Sequence, residues 1–578
     1  MDTILRVRCN GTGIPALTTH SIGTYAGLGG RGMTSKVICA EVPADCHPLG
    51  PENKLVFAPG LMSGTAAATS GRLSVGCKSP LTGTIKEANA GGTAAQALAK
   101  LGYAAIIFEG EAKGDALYRL VIDEKGAKVE PADEYRMLPN YALRDKVQEE
   151  FGDKVSLISI GTAGEMRMSN STIAVTDPEF RPTRHAGRGG VGAVMGSKGF
   201  KCIIVNAEKA SIRKPALPEA FKAANKKFVE GLKSHPVTGT GLPAFGTNIL
   251  TNILNEAGGY PSRNFSTGRF EGAGSISGEA QAELERARGG NPTHGCHKGC
   301  VIKCSGIYVD KEGNYLTKQP EYETVWSHGG NCGIDDLDAI AMMDRLDDDY
   351  GLDTIEMGAT IGVAMEAGVI PFGDKEGTIN LIHQVGKGTP LGRILGAGTA
   401  VTAKCYGLER APVVKNQAMP AYDPRAVKGI GVTYATTTQG ADHTAGYAVA
   451  TNILSVGGHV NPLGSEGQAE LSRSLQIATA ALDATGYCLF IAFAILDQSE
   501  TFDAMVDSIN AMYDLKLTGG DVVALGQDIL RMEREFNKAA GFGPAHDRLP
   551  RYFTREPLAP HGVVFDVPEA ELDSVYNF

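Results

Sequence analysis

The chain has 578 residues, enough for about three or four domains and a large buried core without disulfide staples. Its net charge of −10 argues against a nucleic-acid partner, and no apolar run approaches the roughly 20 residues of a transmembrane helix. Met1 to Asn10 is charged and alternating, unlike a secretory signal, so the cytoplasm is the expected address. There the 11 cysteines read better as metal ligands than as disulfides.

In chain order, the spacing predicts strands over Ile4–Val7, Lys36–Ala40, Leu55–Ala58, Ala104–Phe108, Leu117–Ile122, Val155–Ile160 and Cys202–Val205. One helix interrupts them, Thr93–Leu101, closed by Gly102. A polar stretch with two prolines, Asn206–Pro218, marks a boundary, and helical patterns such as Pro218–Lys233 dominate beyond it. Asp335–Tyr350 is a helix with a stripe of Leu337, Ile340, Met343, Leu346 and Tyr350, an Asp cap and Gly351 at its end. Three prolines within Ala411–Pro424 mark a second boundary. The expected class is α+β: a β-rich domain over 1–208, a helical domain with a cysteine cluster over 209–415, and a helical C-terminal domain over 416–578. Leu352-Asp353 recurs as Leu482-Asp483, each acid at a break between helical segments, which suggests two copies of one ligand.

Cys296, Cys300 and Cys304 place three thiols within nine residues, and soft sulfur ligands select zinc, copper(I) or an iron–sulfur cluster. Either a closed zinc site or a cubane cluster needs a fourth ligand, for which Cys488 is the candidate. The motif alone leaves cluster and zinc equally open. Arg184-His185-Ala186-Gly187-Arg188-Gly189-Gly190 joins open backbone N–H groups to cations, which suits phosphate, but it has no Walker spacing. Arg72 in Ser70–Gly83 and Asn89 beyond it form a second such region; singly these are weak signals, for which a solvated arginine or a helix cap is the more frequent explanation. Glu321 and Glu323, with His443 far downstream, offer a carboxylate and an imidazole for proton transfer, unless they are surface charges and a hydrogen-bonded interior histidine. Cys332 follows in the next loop. No Gly-x-Ser-x-Gly elbow and no His-Glu-x-x-His is present, so these hydrolase signatures are missing.

Together with Tyr422-Asp423-Pro424-Arg425, Gly440–Thr444, Asp483–Cys488 and Asp547-Arg548-Leu549-Pro550, these segments resemble the aldehyde:ferredoxin oxidoreductase family along nearly the whole chain. The resemblance implies a tungsten (or molybdenum) held by two pterins, with a 4Fe-4S cluster beside it. It implies that Asp353 and Asp483 each hold one pterin, and that Arg72 and a cation of Arg184–Arg188 hold the pterin phosphates. A magnesium bridging those phosphates is implied at Asn89 and a backbone carbonyl of His185 or Ala186. Cys296, Cys300, Cys304 and Cys488 would hold the cluster, and Glu321, Glu323 and His443 would manage protons. The implied activity is aldehyde oxidation to a carboxylic acid, with electrons passing to ferredoxin or an iron–sulfur subunit, in a homodimer or hetero-oligomer.

Two features depart from the pattern. Three residues separate Cys296 from Cys300 where the well-known aldehyde-oxidising members have two. Cys332 stands where a thiolate could reach the metal, as in a related branch that reduces the ring of benzoyl-CoA. A small packed thiol is the competing reading of Cys332, and aldehyde oxidation the favoured activity. The alternatives are a low-potential reductase of an aromatic acyl-CoA or other activated carbonyl compound, and a zinc-stabilised binding protein without enzymatic activity.

Overall fold

The structure is a computed structural model that describes every residue except Thr12 and Lys113. The architecture is α+β, with sheets at the N-terminal end and helices beyond. Two six-stranded mixed sheets are built from residues up to Val205. In spatial order the first runs Ala16–Ser21, Thr3–Gly11, Tyr103–Ala112, Leu55–Pro59, Leu73–Lys78, Ile85–Ala90. The second runs Arg184–Ala186, Ile173–Val175, Ser156–Ser159, Phe200–Val205, Tyr118–Asp123, Gly126–Pro131. Each contains one parallel pair, Thr3–Gly11 with Tyr103–Ala112 and Phe200–Val205 with Tyr118–Asp123. Leu5, Phe57 and Phe108 of the first sheet share one core with Leu120, Ile158 and Ile203 of the second. The rings of Phe108 and Phe200 meet edge-on at 4.7 Å.

The run Lys36–Ala40 is not a strand. It lies in the helix Gly30–Glu41, which packs against the first sheet and the C-terminal helices. Its β-branched Val37 and Ile38 are both buried because the helix is covered on most of its circumference, so no 3.6-residue alternation shows in the sequence. The other expected strands form, as do helices Ala94–Lys100, Pro218–Ser234 and Leu337–Tyr350. In the last, the Asp336 side chain accepts from the backbone N–H groups of Asp338 and Ala339, and Gly351 closes it at φ +73°.

From Pro218 onward the chain is mostly helical. The exception that matters here is a small antiparallel sheet, Asn291–His294, Ser305–Val309 and Tyr315–Lys318. The cysteine segment is the connection between its first two strands. Among the described residues no helix is long and apolar enough to cross a membrane.

Candidate active site

The edge strand Ile85–Ala90, the strand Arg184–Ala186, the cysteine connection and several helix ends converge on a cavity of about 400 Å³. That volume is in the range of small-molecule and cofactor sites. Its N-terminal wall is cationic: Arg31, Arg72, Lys86, Arg184 and Arg188 all line it. Their commitments differ. Arg188 is spent on the protein, donating to Asp353 (3.1 Å), Glu356 (3.5 Å) and the carbonyls of Ala441 and Ala418. Arg184 donates to Ser305 (2.7 Å) and Glu321 (3.2 Å), yet its buried Nε has no partner. Arg72 Nε donates to Asn89 Oδ1 at 2.5 Å. The His185 ring lies within reach of Thr172, Pro182 and Asp348. Ala186 is buried in its strand, whereas Gly187 reaches the cavity.

Two buried acids face this wall. Asp353 caps the helix Thr354–Glu366, accepting from the Ile355 N–H at 3.0 Å. Asp483 sits in the last turn of Gln468–Thr485, 3.5 Å from Arg31. Burial raises both carboxyls above the usual range, and the nearby Glu87 raises Asp483 further. Gly30, at φ +47°, lets the first helix touch this turn, since a Cβ there would fall 2.1 Å from the Asp483 carbonyl oxygen.

Deeper in, His443 Nε2 lies 3.3 Å from Glu323 Oε1. The other Glu323 oxygen accepts from the Ala421 N–H at 3.0 Å. Burial pushes Glu323 up to about 8. Burial pushes His443 down to about 4, with Arg188 and Lys86 adding to the effect against Asp442. Asp442 itself would be raised by burial, but Lys86 at 3.2 Å and Arg188 hold it well below the usual range. At neutral pH, therefore, Glu323 carries a proton and His443 does not. The hydroxyls of Tyr422 and Tyr447, 2.9 Å apart, complete this end of the cavity.

Next to Arg72 and Arg184 stand the thiols of Cys296, Cys304 and Cys488, with Cys300 half-buried beside them. Thr69, at φ +60°, ties the segments together: its N–H donates to Gly299 and its carbonyl accepts from Cys488. Gly91 is a close approach, because a Cβ there would sit 3.1 Å from both Cys296 Sγ and Arg72. A hydrogen bond from Cys300 holds the Cys296 thiol well below the usual cysteine range, helped by His297 and Arg184. Among the described residues no three His, Cys, Asp or Glu side chains close on one point as a single metal ion requires.

The family model for the aldehyde ferredoxin oxidoreductase N-terminal domain matches residues 5–207, and that for domains 2 and 3 matches residues 223–578. The chain belongs to the aldehyde ferredoxin oxidoreductase family. It is an enzyme of that kind. A tungsten-containing aldehyde ferredoxin oxidoreductase of Pyrococcus horikoshii is 36% identical over 575 residues, covering 96% of this chain and 91% of the relative. The WOR-like subunit of an aliphatic sulfonate oxidoreductase of Pyrococcus furiosus is 25% identical over 463 residues, covering 72% and 70%. The solved active-site complex BamBC of benzoyl coenzyme A reductase with 1,5-dienoyl-CoA is similar in fold, with TM-score 0.79 at 19% identity. That alignment covers 100% of this chain and 93% of the other.

Within this family member, Glu323 and His443 meet, while Glu321 lies apart from them, paired with Arg184 toward the thiols. Cys332 is not brought to the cavity. Its Sγ donates to the Ser327 carbonyl at 3.2 Å and packs in the helical core, where burial pushes the thiol up. Of the two readings, thiolate ligand or packed thiol, the side chain within the short turn Gly330–Cys332 has the surroundings of the second. Arg31, Lys86, Asp442, Tyr422 and Tyr447 were missed. Tyr422 and Asp442 stood inside recognised segments, so their positions were available; Arg31 and Lys86 carry no local signal.

Proposed function

We propose that the enzyme oxidises an aldehyde to a carboxylic acid at a tungsten (or molybdenum) bis-pterin, and passes the electrons through a 4Fe-4S cluster to ferredoxin or a partner subunit. The observation that carries this reading is one cavity holding three kinds of group at once: a buried Glu323–His443 pair, a cationic wall, and cysteine thiols beside that wall. The residues fit the groups. The orphaned Arg184 Nε suits a phosphate oxygen, and a carboxylate such as Asp353 or Asp483 suits the N–H edge of a pterin. Cys296, Cys300, Cys304 and Cys488 neighbour one another, and four thiolates are the ligand set of an iron–sulfur cluster.

Cys296, Cys300, Cys304 and Cys488 would hold the cluster. Arg72 and Arg184 would hold phosphate, with Arg188 orienting Asp353. Asn89 and a carbonyl of His185 or Ala186 would hold magnesium, an oxygen-seeking cation. Residues 1–208 would form the pterin-binding domain, with 209–415 and 416–578 covering it. When bound, the tungsten centre supplies a two-electron sink that no side chain offers. The reaction balances as aldehyde plus water giving acid, two protons and two electrons. Neutral His443 would take a proton from the attacking water, and protonated Glu323 would donate to the aldehyde oxygen. Elemental analysis and aldehyde-dependent viologen reduction test the proposal. Tungsten or molybdenum with about four irons is expected; zinc alone, with no viologen reduced, would overturn it.

Cys488→Ser should lose or degrade the cluster, read as a drop in iron content and in the reduced-cluster magnetic-resonance signal. Cys405→Ser, at an exposed thiol away from the cavity, should keep both. Full iron with an unchanged signal in Cys488→Ser would remove Cys488 from the ligand set.

A further inference from the structure

The cysteine segment comes to the surface at its middle. Cys296, Cys304 and Cys488 line the cavity; Cys300 does not, and it is only half-buried. Lys298 and Lys303, on either side of it, are exposed, and Val301 between them is half-buried. Lys100, the last residue of the helix Ala94–Lys100, stands close to Lys298. Burial lowers the Lys100 ammonium below its usual value, and the charge of Lys298 lowers it further. The chain entering that helix is tied to the segment, the Gly92 N–H donating to the Cys296 carbonyl at 3.1 Å.

Three lysines therefore gather about Cys300 in a chain whose net charge is −10. Among the described residues, none of the three has a carboxylate within 4.0 Å. Glu179, which reaches the strand leading into the segment, is already paired with His294 at 2.9 Å. Like charges without counter-ions repel one another in the free protein. Lys303 carries a second cost, because its φ of +53° is a left-handed conformation in which glycine would be unstrained. The turn aims the Lys303 N–H at Cys300 Sγ, 3.3 Å away. A glycine would make the same bond, so the bond does not account for the lysine. Backbone strain of this kind clusters at functional sites.

We infer that Lys100, Lys298 and Lys303 form the docking surface for the electron acceptor, a small soluble carrier with an acidic face around its own iron–sulfur centre. The inference rests on the cluster proposed above, of which Cys300 would be the outer ligand. A cationic patch steers an acidic partner toward this face and orients it there. No exposed large apolar side chain belongs to the cysteine segment or to the helix Ala94–Lys100. A permanently bound subunit needs a broad apolar contact, whereas a carrier that must leave after each transfer does not. Each encounter oxidises the enzyme by one electron and reduces the carrier by one, so one aldehyde requires two encounters.

Calorimetric titration of the holoenzyme with an oxidised acidic ferredoxin reads binding without turnover. Lys100→Glu/Lys298→Glu should weaken Kd by about tenfold or more. Lys387→Glu, at the exposed end of the helix Lys375–Lys387, should leave it within about twofold. Raising salt from about 0.05 M to about 0.5 M should weaken parental binding and erase most of the difference between the variants. Iron content and aldehyde-dependent reduction of viologen, a small dication with no use for a cationic patch, should stay within about twofold of the parent. Lys100→Gln/Lys298→Gln covers the case in which charge reversal upsets folding, with a loss of about threefold in affinity expected. Parental affinity in the folded charge-reversed variant, or in the neutral one where the other fails to fold, would overturn the surface. So would a parent that binds no ferredoxin at low salt. Lysine-dependent binding by a protein that reduces no viologen would keep the surface and sink the aldehyde reaction alone.

Discussion

Glu323→Gln should lower kcat for aldehyde oxidation by about 10²- to 10⁴-fold while metal and iron contents stay at parental levels. Glutamine keeps the shape and can still accept from the Ala421 N–H, but it cannot give up or regain a proton beside His443. The same substitution has a stability signature whose sign follows from the raised carboxyl. Burial lifts Glu323 from 4.5 to about 8, so between those values the folded chain keeps a proton that the unfolded chain has lost. Its contribution is therefore fully present below pH 4.5 and falls away as pH rises toward 8, by on the order of 5 kcal/mol. Glutamine does not titrate. Thermal scans at pH 5.5 and 8.5 should show a smaller loss on the alkaline side for Glu323→Gln than for the parent. The parent's kcat should decline above about pH 8, as the donor ionises, and the variant should lack that limb. A variant within threefold of parental kcat would show that Glu323 handles no proton in the rate-limiting step.

The contrast between Glu323 and Arg31 explains how much of this site could be read from the sequence. Cys296, Cys300 and Cys304 were legible because three thiols so close together have few other uses, and Arg184–Arg188 because cations and glycines sit side by side. Asp353 and Asp483 were legible only through an echo of Leu-Asp. The echo did not reveal that one acid starts a helix and the other ends one. Arg31 and Lys86 look like any surface cations in the sequence, yet Arg31 is 2% exposed and its carboxylate partner lies 502 positions away. Asp344, Asp347 and Asp348 would pass for the solvent face of a helix. All three are buried, paired with Lys318 or His328, and Asp348 also faces His185. At fold level the same limit appears in Lys36–Ala40, where coverage on most sides erased the helical period. What could be read was chemistry contained in a short segment. What could not was any charge whose meaning depends on a partner supplied by the rest of the chain.

Arg31→Met is expected to destabilise the enzyme by about 3–5 kcal/mol, among the largest single effects outside the catalytic pair. Arg31 sits in the helix Gly30–Glu41 at the N-terminal end of the chain and makes a two-pronged contact with Glu533 in the helix Gly519–Ala539, at 2.8 and 2.7 Å. Glu533 is fully buried. Burial alone would raise its carboxyl, and Arg31, with donors from Thr438 and Ser35, reverses that and holds it below the usual range. Removing the guanidinium leaves the two hydroxyl donors but an uncompensated buried charge. The pH dependence should change sign with it. In the parent, Glu533 contributes stability present above pH 4.5 and lost as pH falls through its lowered value. In the variant the carboxyl rises, and stability is lost instead as pH rises above 4.5. The double variant Arg31→Met/Glu533→Leu removes both charges and should recover most of the loss, because an apolar pair of similar volume is no worse than a buried ion pair. Scans at a fixed heating rate over the four members of this cycle give the coupling directly. Arg31 also stands 3.5 Å from Asp483, so on the proposed cofactor the tungsten or molybdenum content should fall in Arg31→Met and stay low in the double variant. A single variant as stable as the parent, or a double variant no better than the single, would mean that other contacts hold the first helix against the C-terminal helices.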